Sequence, residues 1–193
     1  MESFSFEKHV WAEIDLDALR ANFAAVQRHA PGRPLCAVVK ADAYGHGAVQ
    51  CARALAQAGA AWLAVSCLAE AVQLRRAGLT LPILILGHVQ PSYASALIQH
   101  QLTAACYSSE QAAALSQAAQ AAGGRVQVHL KADTGMGRIG FALRTDFDAA
   151  IAAMVNVCRL PGLQVTGLFQ HFAVADETSA DPTAYTQEQY GLF

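Results

Sequence analysis

Leu35-Cys36-Ala37-Val38-Val39-Lys40, followed by Ala41-Asp42-Ala43-Tyr44-Gly45-His46-Gly47, joins an apolar run to a glycine-punctuated segment. The run reads as a buried β-strand and the segment after it as a loop. Lys40 therefore stands at the mouth of a buried strand. Partial desolvation there lowers a lysine's pKa and frees its amine, the environment that Schiff-base chemistry requires. Only Lys8, Lys40 and Lys131 are lysine among 13 basic residues, so two of the three at strand ends points to placement. The bland alternative is a solvated strand-end lysine with a turn behind it. Spacing alone does not separate the two.

The same pattern repeats outward from this strand. Apolar runs at 35–40, 62–67, 82–86, 102–107, 125–131 and 163–171 alternate with helical stretches. The helices are expected at about 47–58, 68–77, 91–99, 109–122 and 146–158, with a helical tail from near Pro182. Strict βα alternation implies parallel strands with right-handed crossovers, and near-continuous apolar strands fit a sheet covered on both faces. A (β/α)8 barrel and an open doubly wound sheet both satisfy this. Residues 10–16 differ: they alternate like a half-exposed strand of another layer, with Asp17 as N-cap of a helix over 18–29. Six βα units remain from Leu35 onward, whereas a barrel needs eight and typically about 250 residues. The expectation is an α/β chain, a TIM-type (β/α)8 barrel spanning 1–193 but lacking its last two units. Barrel active sites form at the C-terminal ends of the strands. Lys40, Lys131 and His171 all fall at such ends.

Composition narrows the function classes. Hydrophobic residues make up 54% and charged residues 15%, which excludes disorder. A net charge of −2 without a basic cluster gives nucleic-acid binding no electrostatic support. The first ten residues carry Glu2, Glu7 and Lys8 and lack the apolar core of a signal peptide. The apolar stretch at 79–89 contains Pro82, Gly87 and His88 and is too short to span a bilayer. Cys36, Cys51, Cys67, Cys106 and Cys158 form no Cys-x-x-Cys pair, so no metal site or disulfide framework is expected; buried, reduced thiols in a cytoplasmic protein are.

Three segments carry the candidate chemistry. In the first, Tyr44 could donate its hydroxyl to a phosphate or cofactor oxygen, and Gly45 and Gly47 permit tight turning. In the second, His129 to Phe141, Gly135, Gly137 and Gly140 match the dinucleotide pattern G-x-G-x-x-G literally. Polar residues intervene after the strand, no helix starts at the glycines and no acid follows about 20 residues on, so that reading is rejected. What remains is a loop presenting Arg138, whose rigid fork suits a carboxylate or oxyanion. The alternative is a structural ion pair of Arg138 or Lys131 with Asp133. In the third, Gly167 to Ala173, His171 sits between aromatics at a strand end, where it could stack on a cofactor ring; alone, a satisfied core histidine is the better reading. Asp176 and Glu177 read as solvated loop charges.

Taken together, these segments resemble the alanine racemase family, whose barrel domain binds pyridoxal 5'-phosphate (PLP). The resemblance runs in order through residues 12–19, Val38 to Gly47, Lys131 to Gly140, and His171 to Glu177. It implies that Lys40 carries PLP as an aldimine and acts as the base on one face of the substrate Cα. It implies that Tyr44 contacts the cofactor phosphate, and that Arg138 binds near the substrate carboxylate and the PLP phenolic oxygen. Lys131 matches a lysine often carbamylated in the family, and His171 would lie beside the PLP ring. The first strand would join a C-terminal β-domain. The second base would be a tyrosine from the partner subunit of a homodimer, and it is not among these residues. The implied activity is interconversion of L- and D-alanine for peptidoglycan, with no metal, and with this chain alone inactive. A serine or broad-specificity racemase, a decarboxylase of the same fold type, and a non-enzymatic PLP-binding homeostasis protein are the alternatives.

Overall fold

The structure, a computed structural model, describes residues 10–193, so Lys8 and the other residues before Val10 lie outside it. Helix α1 (Leu16–His29) precedes strand β1 (Cys36–Val38), which leads into a short turn, α2 (Lys40–Tyr44), and helix α3 (Ala48–Gln57). Then come β2 (Trp62–Val65), α4 (Leu68–Arg76), β3 (Ile83–Ile85), a 3-10 turn (Pro91–Tyr93) running into α5 (Ala94–Gln99), and β4 (Thr103–Cys106). The remainder is α6 (Ser109–Ala121), β5 (Val126–Asp133), β6 (Phe141–Ala142), α7 (Phe147–Cys158), β7 (Leu163–Phe169) and α8 (Ala180–Leu192).

Every strand pairing is parallel. The sheet runs β1-β2-β3-β4-β5, with β7 along β5 and the two-residue β6 against the last residues of β5. Among the described residues strand order never reverses. A doubly wound sheet needs such a reversal and a barrel does not, so the barrel-type alternative holds. Each of the six predicted apolar runs contains one strand; five strands are shorter than their runs, whereas β5 continues two residues past its run to Asp133.

Register sorts the side chains onto two faces. Ala37, Leu63, Val65, Ile83, Ile85, Ala104, Cys106, Val126 and Val128 are buried in one cluster with Leu55, Leu74, Leu97 and Leu115 of the surrounding helices. The other face carries Cys36, Trp62, His129 and Lys131; the Trp62 and His129 rings meet at a tilt of 49° with their centroids 4.9 Å apart. This face and the C-terminal strand ends position the candidate chemistry. No helix among the described residues is long and apolar enough to cross a membrane.

Three local expectations are corrected. Residues 10–15 form no strand, since no partner strand lies beside them among the described residues; Val10 is 87% exposed. The α1 N-cap is Asp15, not Asp17: Asp15 Oδ1 accepts the amides of Asp17 at 2.8 Å and Ala18 at 3.0 Å, so the helix begins earlier. Of the five cysteines, Cys51 and Cys106 are buried, but Cys36, Cys67 and Cys158 are exposed on a strand edge or helix ends. Burial pushes the Cys106 thiol up to about 12.

Candidate active site

Val39 is 1% exposed and donates its amide to Ala64 O at 2.8 Å, which fixes the end of β1. Lys40 then opens α2, which is not the loop the glycines suggested. Ala41, Asp42 and Ala43 have φ of 50, 53 and 53°, and Tyr44 follows at 56°: one turn of left-handed helix built from non-glycine residues. Each such residue costs roughly 1–2 kcal/mol. Local bonds offset this. Gly45 N–H donates to Ala41 O at 3.0 Å, Gly47 N–H to Asp42 O at 2.9 Å, and Ala48 N–H to Asp42 Oδ1 at 2.6 Å. Strain held this firmly is characteristic of functional segments. The turn brings Tyr44, 60% exposed, beside the half-buried Lys40, whose Nζ lies 5.8 Å from the Tyr44 ring centroid.

Lys131 lies two residues inside the end of β5 rather than at it, and is 3% exposed. Its Nζ–H donates to Ala132 O at 3.1 Å and lies 5.4 Å from the Phe169 ring centroid. Burial pushes its pKa below the usual lysine range and the Arg138 charge adds to this, while Asp133 opposes them. Asp133 is not its salt-bridge partner. Asp133 Oδ1 accepts the Gly135 and Gly137 amides, each at 3.0 Å, and thereby folds the loop that carries Arg138. Burial works to raise the Asp133 pKa, but those amides and the Lys131 charge outweigh it and hold the carboxyl low. The ion pairs among the described residues are Arg20–Asp17 and Arg144–Glu188, so the structural ion-pair alternative for Arg138 and Lys131 fails. Gly140 lets the loop return onto β5: a Cβ there would stand 2.7 Å from Asp133 N, at φ 138°.

His171 lies two residues past the end of β7 and is exposed, not a core residue. Partial burial lowers its pKa first, and the charges of Arg138, Lys131 and Lys40 lower it further. The charges of Arg138, Lys131 and Lys40 thus all bear on His171, and that of Arg138 on Lys131, toward the C-terminal ends of β1, β5 and β7. Such a cluster, with an accessible amine and a tyrosine at its edge, suits an anionic carbonyl cofactor of the PLP kind. Sequence reasoning missed two supports. Glu70 bonds the start of the left-handed turn, and Gln189 of α8 binds the loops after β5 and β7. An acid three residues after the start of a helix, as Glu70 stands to Cys67, was the available signal for the first.

Lys131→Met is expected to stabilise the chain by roughly 1–3 kcal/mol at neutral pH in carbon-dioxide-free buffer, because it removes an unpaired buried cation. The folded-state pKa of Lys131 is depressed, so the unfolded chain binds more protons in the alkaline range. Wild-type stability therefore rises with pH there, and the gap to Lys131→Met should close as Lys131 deprotonates. Thermal melts across neutral to alkaline pH test this. A gap that widens with pH contradicts it.

The chain matches the family described as alanine racemase, N-terminal domain, over residues 14–193. It is 44% identical over 185 residues to the alanine racemase of Desulforamulus reducens, covering 95% of this chain and 48% of that protein. The solved alanine racemase of Clostridium difficile 630 superposes with a TM-score of 0.88 at 36% identity, over 97% of this chain and 49% of that one. A histidine racemase from Leuconostoc mesenteroides superposes with a TM-score of 0.80 at 30% identity, over 91% of this chain and 46% of that one. The chain spans about half the length of the relatives it matches. With Lys40, Lys131, Arg138 and His171 gathered at the ends of sequentially ordered parallel strands, the chain belongs to the alanine racemase family, through that family's N-terminal domain.

Proposed function

We propose that residues 1–193 act as the PLP-binding barrel portion of a cytoplasmic, homodimeric alanine racemase that interconverts L- and D-alanine and supplies D-alanine for peptidoglycan. The observation that carries this is the cluster itself: the charges of Arg138, Lys131 and Lys40 all bear on His171 at one end of the sheet. Lys40 would hold the cofactor aldehyde, Tyr44 its phosphate, and His171, kept neutral by its surroundings, would lie against the ring. When bound, PLP supplies the electron sink that makes the amino-acid α-proton removable. Lys40 would then take or return that proton at one face of Cα, while Arg138 binds the substrate carboxylate. A buried, deprotonated Lys131 amine would add carbon dioxide at Nζ and release a proton, giving a carbamate anion beside Arg138. Two-sided proton transfer needs a second base on the opposite face, and the residues gathered here do not supply it. Turnover by this chain alone is therefore expected to be negligible.

A broader amino-acid racemase is the second reading. The similarity to a histidine racemase favours it, as does a site in which Lys40 and Arg138 would meet only groups common to all amino acids. The test is reductive trapping. The chain is mixed with PLP, treated with borohydride and mapped by mass spectrometry. The adduct is expected on Lys40; an adduct on Lys131, or one spread over surface amines, would sink the assignment.

A further inference from the structure

We propose that Glu70 is a positioning residue for the Lys40 amine, holding the peptide group immediately after Lys40. This rests on the assignment of Lys40 as the cofactor-bearing residue.

Glu70 is the third residue of α4, half-buried, and its carboxylate reaches in two directions. Oε2 accepts the Ser66 amide at 2.7 Å and the Ser66 hydroxyl at 2.8 Å. That half is ordinary helix capping, an acid in the first turn returning to the amides before the helix. Oε1 does something capping does not require. It accepts the amide of Ala41 at 2.8 Å, across 29 residues of sequence. The Ala41 N–H belongs to the same peptide plane as the Lys40 carbonyl. One carboxylate therefore ties the C-terminal ends of β1 and β2 together at the residue that bears the amine.

Backbone strain in the adjoining turn makes this contact matter. Ala41 is the first of four successive non-glycine residues with φ between 50 and 56°. Each is disfavoured for an L-residue, so the turn persists only where its surroundings fix it. Asp42 secures the far end through the Ala48 amide. Glu70 secures the near end with a charge-assisted bond, the stronger kind. Burial works to raise the Glu70 pKa, but its bonds to Ser66, Ala41 and Cys67 outweigh it and keep the group ionised. Without the Ala41 bond the peptide after Lys40 is free to rotate, and the amine loses its fixed approach.

The test compares wild type, Glu70→Asp, Glu70→Gln and Ser66→Ala by PLP titration with borohydride trapping, and by hydrogen exchange at the Ala41 amide. Glu70→Asp keeps a first-turn acid for the helix but is one methylene too short to reach Ala41. Glu70→Gln keeps the length and loses the charge, and it turns an N–H toward either the Ala41 amide or the Ser66 amide and hydroxyl. Both are expected to weaken PLP retention at Lys40 at least ten-fold and to speed Ala41 exchange at least ten-fold, with α6 exchange unchanged. Ser66→Ala removes only a capping bond and is expected to stay within two-fold of wild type in both. If wild type fails to trap PLP on Lys40, the assignment of Lys40 falls and this inference with it. If wild type traps PLP there and both Glu70 variants match it, or Ser66→Ala is as defective as they are, only the role of Glu70 falls.

Discussion

Lys40→Ala is expected to abolish retention of PLP while leaving the fold intact. The two halves of this expectation have separate physical grounds. The Lys40 amine is not among the hydrogen-bond donors or ion pairs of the described residues, and its one close partner is the Tyr44 ring at 5.8 Å. That distance is near the outer limit of a cation–π contact, which is worth about 0.5–1 kcal/mol at an exposed site. The turn after it is held by backbone bonds and by Glu70 and Asp42, none of which involves the Lys40 side chain. The folding free energy should therefore change by no more than about 1 kcal/mol. The cofactor side is all-or-none. Lys131, the other amine of the cluster, is 3% exposed inside β5 and donates to Ala132 O, so it does not substitute. Absorbance on adding PLP, trapped mass and thermal midpoint together decide the matter. A Lys40→Ala chain that keeps the visible band would remove Lys40 from its role; one that loses the band by unfolding would make Lys40 a structural residue.

Burial is written directly into a sequence, and this decided how much of the molecule could be read there. Strands that pack one face against the helices and sit inside a sheet are apolar along most of their length, so the six runs and their alternation with helices were legible, and with them the parallel sheet. The end that carries the candidate site stood out for the same reason, since Lys40, Lys131 and His171 interrupt or terminate those runs. Long-range polar contacts leave no comparable trace. Glu70 and Ala41 meet across 29 residues, and nothing in Ala41-Asp42-Ala43-Tyr44 announces φ near +50°. The glycines nearby suggested a flexible loop, whereas the left-handed backbone lies mainly in residues that avoid it. The exposed cysteines illustrate another limit. Cys36 belongs to an apolar run, but β1 pairs on one side only among the described residues, and Cys36 points to the face that the helices do not cover.

Gln189→Leu is expected to destabilise the chain by about 2–4 kcal/mol and to loosen the site at the same time. Gln189 is 0% exposed on α8. Its side-chain oxygen accepts the Ala173 amide at 2.9 Å, and its NH2 donates to Thr134 Oγ1 at 3.2 Å and to His171 O at 3.4 Å. Thr134 Oγ–H in turn donates to Gln170 Oε1 at 3.1 Å. One buried amide thus joins the loop after β5 to the loop after β7. Leucine matches its size but leaves the Ala173 N–H and the His171 carbonyl unpaired, which costs the desolvation of both groups. The tyrosine on the same helix reinforces the geometry: Tyr185 donates to Gly135 O at 2.6 Å, and the Arg144 guanidinium stacks 4.4 Å from its ring centroid. Helix α8 therefore acts as a clamp on the segments carrying Arg138 and His171. Urea unfolding should show a lower midpoint with an unchanged slope, the mark of lost stability without a change in the surface exposed. PLP titration under native conditions should show weaker binding, because His171 is then free to leave its place. A Gln189→Leu chain with wild-type midpoint would mean that water replaces the amide, and α8 would then be packing on the site without holding it.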